Sequence, residues 1–204
     1  TRTSLRVETF LDGPVSLFRV DQPFPDHVTD FEGSPFDPRL GDIKLRTGFR
    51  ALKSGELSFP SFLELTLPTA NPAELGAGKY LLGAGIRMLA PLGAGASHAL
   101  RFETELAHTV SFGGDAARAD TRYTKLELTL YDLWRDKYTL KLKLKPVYDH
   151  AKSEQGAVGE VEGGFYFGER KWRTWLMLGA RLAGPDDVSS TYNTRLELGL
   201  ARTF

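Results

Sequence analysis

The chain contains no cysteine, which excludes disulfide frameworks, thiolate metal sites and cysteine nucleophiles. No apolar run approaches the roughly 18 residues a membrane-spanning helix requires. Neither sign of charge dominates: 26 basic and 26 acidic residues balance, so there is no global basic field to draw in nucleic acid. No stretch carries a convincing helical period. No signal peptide is visible and the chain opens at Thr1 without a methionine, so a processed or trimmed product is expected. A length of 204 residues suits one β domain spanning 1–204, since no linker or composition shift divides it.

What is present is alternation. In "GDIKLRTGFRAL", residues 41–52, Asp42, Lys44, Arg46 and Arg50 fall on one side of an extended chain. Ile43, Leu45, Thr47 and Phe49 fall on the other. The same rhythm recurs roughly at 3–10, 15–22, 40–52, 56–67, 79–92, 97–112, 121–134, 137–149, 157–168, 171–183 and 190–204. The connections alternate between short ("GERK", "WRDK", "KSGE", "LDGP") and long ("GPDDVSS", "HAKSEQG", "GGDAARAD", "TANPAELGAG"). Outer-membrane barrels keep short turns at the periplasmic end and long loops outside, whereas a soluble meander has no reason to.

Aromatic residues decide which face points outward. On the apolar parity, Trp134, Tyr138, Phe167, Trp172 and Phe204 fall beside short turns or at the C-terminus. Phe112, Tyr148, Tyr192 and Tyr80 fall beside long loops. Two such belts, with leucines between them (Leu126, Leu128, Leu130; Leu140, Leu142, Leu144; Leu196, Leu198, Leu200), are the pattern of a lipid-facing wall. The expected fold is a transmembrane antiparallel up-and-down β-barrel. Eleven segments with a descending last strand leave an odd total, and bacterial barrels close with an even one. Twelve strands are therefore favoured, with one ascending strand before Thr1, and ten are possible if residues 1–12 lie outside the wall.

The charged face then lines the interior. The expected lumen-lining residues are Lys44, Arg46, Arg50, Glu64, Arg87, Arg101, Glu103, Glu105, Glu127, Lys141, Lys143, Lys145, Glu160, Glu162, Arg173, Arg181, Arg195 and Glu197. Hairpin register suggests Lys145 opposite Glu160 and Glu127, and Lys143 opposite Glu162. The long 22–39 loop, with Phe24, Phe31 and Phe36, is the candidate gate or plug.

Two stretches carry a family resemblance: "LGDIKLRTGFR" and "ELTLPTANPAELGAGKYLLGAG", through Gly41, Asp42, Pro68, Thr69, Leu75, Gly76, Gly78 and Lys79. They resemble the MetA-pathway phenol-degradation outer-membrane proteins, a group of transporters. The resemblance covers about residues 39–86 and implies an outer-membrane barrel taking up small, aromatic molecules. It implies no binding residues. The local alternative is that Pro68 and the Gly76/Gly78 pair simply shape a loop.

Catalytic chemistry finds little support. His27 follows Asp26 and His150 follows Asp149, both near the long-loop rim, where omptin-type proteases use Asp/His pairs. Neighbouring residues of a strand point to opposite faces, so neither dipeptide is a dyad by itself. His108 falls on the lipid-facing parity near the upper belt. "GGDAARAD" and "GPDDVSS" lack the spaced carboxylates of a calcium loop, and "GAGKY" lacks the phosphate-loop pattern. No catalytic residue, metal or cofactor is expected.

The expected function is an outer-membrane pore or transporter for passive diffusion of small solutes through a mixed-charge lumen. Its expected partners are the bilayer, an unnamed solute and the barrel-assembly machinery through Phe204; no nucleic acid is expected. The alternatives are a structural barrel docking a partner protein, an outer-rim hydrolase and a soluble β-sandwich.

Overall fold

The computed structural model describes residues 2–25, 39–71, 76–95, 97–185, 188 and 192–203. Alternating side chains give strands and little else. They are β1 (Arg2–Phe10), β2 (Val15–Pro25), β3 (Ile43–Ser54), β4 (Leu57–Leu67), β5 (Lys79–Ala94) and β6 (His98–Gly114). Then come β7 (Arg122–Trp134), β8 (Tyr138–Asp149), β9 (Glu154–Phe167), β10 (Trp172–Ala183) and β11 (Thr194–Thr203). Consecutive strands pair antiparallel throughout, and the sheet closes on itself. Phe31, Phe36, His27, Asp26, Leu75 and Phe204 lie outside the described residues.

The tight turns gather at one end of the barrel and the long connections at the other. Between β7 and β8, Arg135 and Asp136 both take left-handed angles (φ 50° and 53°), and the Lys137 N–H donates to the Trp134 carbonyl at 3.1 Å. Two successive positive φ values match the right-handed twist of the flanking strands, which is why tight hairpins use them.

The strand count departs from both expected numbers. Among the described residues there are eleven strands, and β1 pairs directly with β11 in parallel, Leu5 beside Leu200 and Arg6 beside Ala201. Both strands run from the long-loop end to the tight-turn end, so an odd total can close only through a parallel seam. That ladder satisfies both edges without a twelfth strand or removal of β1. The inward parity carries across it, Ser4 beside Gly199. Because the chain lacks cysteine, Leu5→Cys with Leu200→Cys is a clean test. Parallel neighbours lie within disulfide reach, so mild oxidation should cross-link the pair and shift its migration on a non-reducing gel. Failure to cross-link, with Leu5→Cys/Val161→Cys as the negative control, would contradict the seam.

The two faces differ in kind. Outside, Leu140, Leu142, Leu144, Leu176, Leu178, Leu196 and Leu198 are exposed, separated from the tight-turn end by Trp134, Tyr138, Phe165 and Phe167. Tyr80, Phe112 and Tyr148 are exposed near the long loops. The rings pack on one another, Trp134 on Tyr138 at 5.6 Å and Tyr80 on Phe112 at 5.9 Å between centroids. A continuous apolar band of this extent needs an apolar neighbour. Inside, a small apolar cluster of Trp175, Met177 and Ala201 is buried, and Phe62, Tyr131 and Val158 are buried among ionic side chains such as Arg46, Glu105, Glu160 and Glu162.

One ring expected in the outer belt is not there. Tyr192 precedes β11, where strand parity no longer applies, and it turns inward. Its hydroxyl donates to Glu160 Oε1, and its hydroxyl and ring edge occupy the place where a side chain at Gly179 would stand. Burial, and then that hydrogen bond, push the Tyr192 phenol above its ordinary range.

Candidate functional site

The interior is spanned by one unbroken chain of opposite charges. Glu8 lies 3.9 Å from Arg6 and 3.8 Å from Arg19. Asp21 sits between the same two arginines, at 2.5 and 2.8 Å. Arg19 reaches Glu64 at 3.9 Å, and Arg46 holds Glu64 at 2.7 Å and Glu105 at 3.2 Å. Arg87 also grips Glu105, at 2.6 Å, while Lys125 stands 3.8 Å from both Glu105 and Glu127. Lys145 links Glu127 to Glu160 at 3.5 and 2.7 Å. Lys143 links Glu160 to Glu162 at 3.7 and 2.6 Å, and Lys141 and Arg173 finish on Glu162 at 3.1 and 2.5 Å. At the seam Arg195 pairs with Glu197, which also accepts the Ser4 hydroxyl at 3.1 Å.

The sign of every link alternates, which is what makes it affordable to bury Glu105, Glu160 and Glu162. An uncompensated charge in such a place costs several kcal/mol; a carboxylate held by two or three cations avoids that cost.

The register shows how the lysines reach their partners. Directly opposite one another stand Lys141 and Glu162, Lys143 and Glu160, and Lys145 and Val158. The expected alignment of Lys145 with Glu160 and Lys143 with Glu162 is thus displaced by two residues in the backbone. The ion pairs Lys145–Glu160 and Lys143–Glu162 form nonetheless, because each long lysine leans diagonally along the sheet.

Arg46 is the bridge of the chain. It starts on β3 and ends on β6, crossing the inner faces of β4 and β5. Its guanidinium rests on the Phe62 ring at 3.9 Å, and that ring in turn occupies the space a side chain at Gly85 would fill. A glycine on the inward face of β5 is therefore what lets Phe62 lie flat and Arg46 pass over it.

Toward the tight-turn end the interior becomes aromatic. Arg101 lies over Tyr131 at 4.0 Å and pairs with Glu103; Lys141 approaches the same ring at 5.5 Å. Trp175 sits between Arg6 and Arg173, at 5.2 and 5.3 Å. Lys44 is half-buried opposite Asp21, and Arg181 is half-buried at the long-loop end, its N–H donating to the Asn193 carbonyl at 3.0 Å. Two of the expected lining residues are exposed, Arg101 and Arg50; Arg50 sits where the β3–β4 register shifts, between Phe49 and Leu52, and the alternation breaks there.

The sequence reading omitted several residues of this chain. Arg19, Asp21 and Lys125 alternate with apolar neighbours in "FRVDQ" and "TKLEL" and were available to the same parity argument. Phe62, Tyr131 and Trp175 had no such signal, since an aromatic on the charged parity reads as noise until the ring is seen under a guanidinium.

The stretch that carries the family resemblance forms a loop clamp. Asp42 Oδ1 accepts the Ala70 N–H at 3.0 Å and Oδ2 the Ala77 N–H at 2.6 Å. Thr69 Oγ1 accepts the Ile43 N–H at 2.9 Å, and Gly41 donates to the Pro23 carbonyl at 2.9 Å. Lys79 Nζ reaches Asp120 at 3.1 Å. Hydrogen bonds from Lys79, then from Ser111, hold the Asp120 carboxyl below the usual range. These contacts tie two loops to the barrel rim.

The candidate Asp/His pair at 149–150 does not assemble. Asp149 is fully buried and its Oδ1 accepts the Ala151 and Lys152 N–H groups at 2.9 and 3.2 Å, closing the turn. The His150 ring lies outside the barrel, 2.8 Å from Thr124 Oγ1, which also meets His108 Nδ1 at 2.9 Å. Among the described residues no group of three His, Cys, Asp or Glu side chains could hold a metal ion.

No protein-family model matches the chain, and no curated protein does. Among solved structures it is similar to a crystal structure of an outer membrane channel from Pseudomonas putida F1, with a TM-score of 0.54 at 14% identity over 89% of this chain and 73% of that one. The likeness is one of fold, an all-β closed barrel.

Proposed function

We propose that the chain is an outer-membrane channel passing small solutes through its charged interior. The observation that carries this reading is the contrast between the faces: exposed leucines framed by aromatic rings outside, and paired ions inside. In a closed barrel every backbone group is paired, so the wall can stand in hydrocarbon while its lumen stays polar. The fold of a known outer membrane channel supports it. Passage is by diffusion, with selectivity set by the constriction that Arg46, Phe62 and Glu105 form; small aromatic solutes are those the family resemblance implies. Recognition of Phe204 by the assembly machinery belongs to the same proposal.

The unbroken ion-pair chain also favours a second reading, a closed scaffold barrel without flux. Planar-bilayer recording separates the two: discrete current steps support the channel, while insertion with a silent baseline supports the scaffold. Insertion itself is read from heat-modifiable migration, since a closed barrel resists detergent until heated. An unboiled sample that always runs with the boiled one would count against both. For orientation, tags at 185 should label on intact cells and tags at 169 should not; equal labelling would reverse or cancel the assigned topology.

A further inference from the structure

The outer wall has a crevice that the channel reading does not use. It has a volume of about 650 Å³ and lies across β7, β8 and β9 toward the long-loop end. Two irregularities produce it. The β7–β8 ladder stops at Lys125 with Val147 and resumes at Leu128 with Leu144, around Pro146, which has no N–H to donate. The β9–β10 register shifts between Arg181 and Ala183.

Its polarity changes along the barrel axis. The half nearer mid-wall is lined by Leu126, Pro146 and Ala157; the half nearer the loops by Thr124, Tyr148 and Gln155. Short side chains at Pro146 and Ala157 make the floor lower than the surrounding leucines. Beyond the polar half stand His108 and His150, both on the Thr124 hydroxyl, and the exposed Arg122, whose guanidinium meets the His150 carbonyl at 3.5 Å. Lys152 is exposed in the same turn. Asp149 and Glu154 stand opposite each other on the inward parity of β8 and β9, whereas His108 and His150 meet Thr124 on the outer side. An apolar trough that ends at cationic and imidazole groups matches an amphiphile with a hydrocarbon chain and an anionic head.

We propose that this crevice seats one chain of an anionic phospholipid, with its phosphate against Arg122 and His150; the proposal rests on the membrane reading above. The test is native mass spectrometry of the full chain released from micelles supplied with phosphatidylglycerol or phosphatidylcholine. The wild type should retain one phosphatidylglycerol under activation that strips phosphatidylcholine. Ala157→Phe, which fills the trough, should lower the retained fraction about tenfold, the scale of losing one good contact set. Val161→Phe, elsewhere on the outer wall, should leave it unchanged. Arg122→Gln with His150→Gln should bring phosphatidylglycerol down to the phosphatidylcholine level without touching the trough. Equal retention of the two lipids, or equal retention by wild type and Ala157→Phe, would overturn the inference while bilayer insertion kept the membrane reading intact. A protein that never inserts would overturn both.

Discussion

Replacing Arg46 with alanine is expected to raise the single-channel current of the reconstituted protein severalfold. The Arg46 side chain spans from β3 to β6, lies on Phe62 and holds Glu64 and Glu105. Removing it deletes a side chain that bridges those strands across the inner face. The fold should survive. Glu105 keeps Arg87 at 2.6 Å and Lys125 at 3.8 Å, and Glu64 keeps Arg19 at 3.9 Å. Breaking a buried pair outright costs about 3–5 kcal/mol, and the remaining cations reduce that. With one positive charge gone and two carboxylates less masked, reversal potentials in a salt gradient should also move toward cations. Recordings in which Arg46→Ala leaves both current and reversal potential unchanged would place the conduction path, if any, elsewhere.

Leu142→Arg should impair assembly far more than Lys143→Leu. The two residues are neighbours on β8 and point to opposite faces. Leu142 is exposed on the outer wall between Leu130 and Val161, at mid-strand. An arginine there, at the middle of a lipid-facing wall, costs about 2–4 kcal/mol. Lys143 lies inside, and its partners are doubly held: Glu160 keeps Lys145 at 2.7 Å and Tyr192, and Glu162 keeps Lys141 at 3.1 Å and Arg173. Lys143→Leu therefore leaves no carboxylate alone. The fraction of heat-modifiable barrel recovered after refolding into vesicles measures both. Equal losses, or a larger loss for Lys143→Leu, would reverse the inside and outside assigned to the strands.

Much of the wall was readable in advance because strand parity is local. Once a residue is extended, its neighbour's direction follows, so "KLKLK" in β8 shows which lysines share a face without any knowledge of β7 or β9. The same argument failed where extension ended. Tyr192 lies outside β11 and turns in; Arg50 lies within an irregularity of β3 and is exposed. It also failed where a contact depends on what a neighbouring strand lacks. Nothing in "GAGIR" indicates that Gly85 will sit under Phe62, since that requires β4 and β5 in register.

By itself the sequence determined that the chain would form long strands with one charged and one apolar face, and that rings would collect at both ends. These properties have a period of two residues and a range of one strand. Only the tertiary structure decided that eleven strands would close through a parallel seam, which depends on both ends of the chain meeting in space. It alone set the backbone register, displaced by two residues from the expected one, so that Lys145 and Lys143 reach their expected partners diagonally. And it alone opened the outer crevice, where a proline in one strand and a register shift in another leave a gap only once the two lie in one sheet.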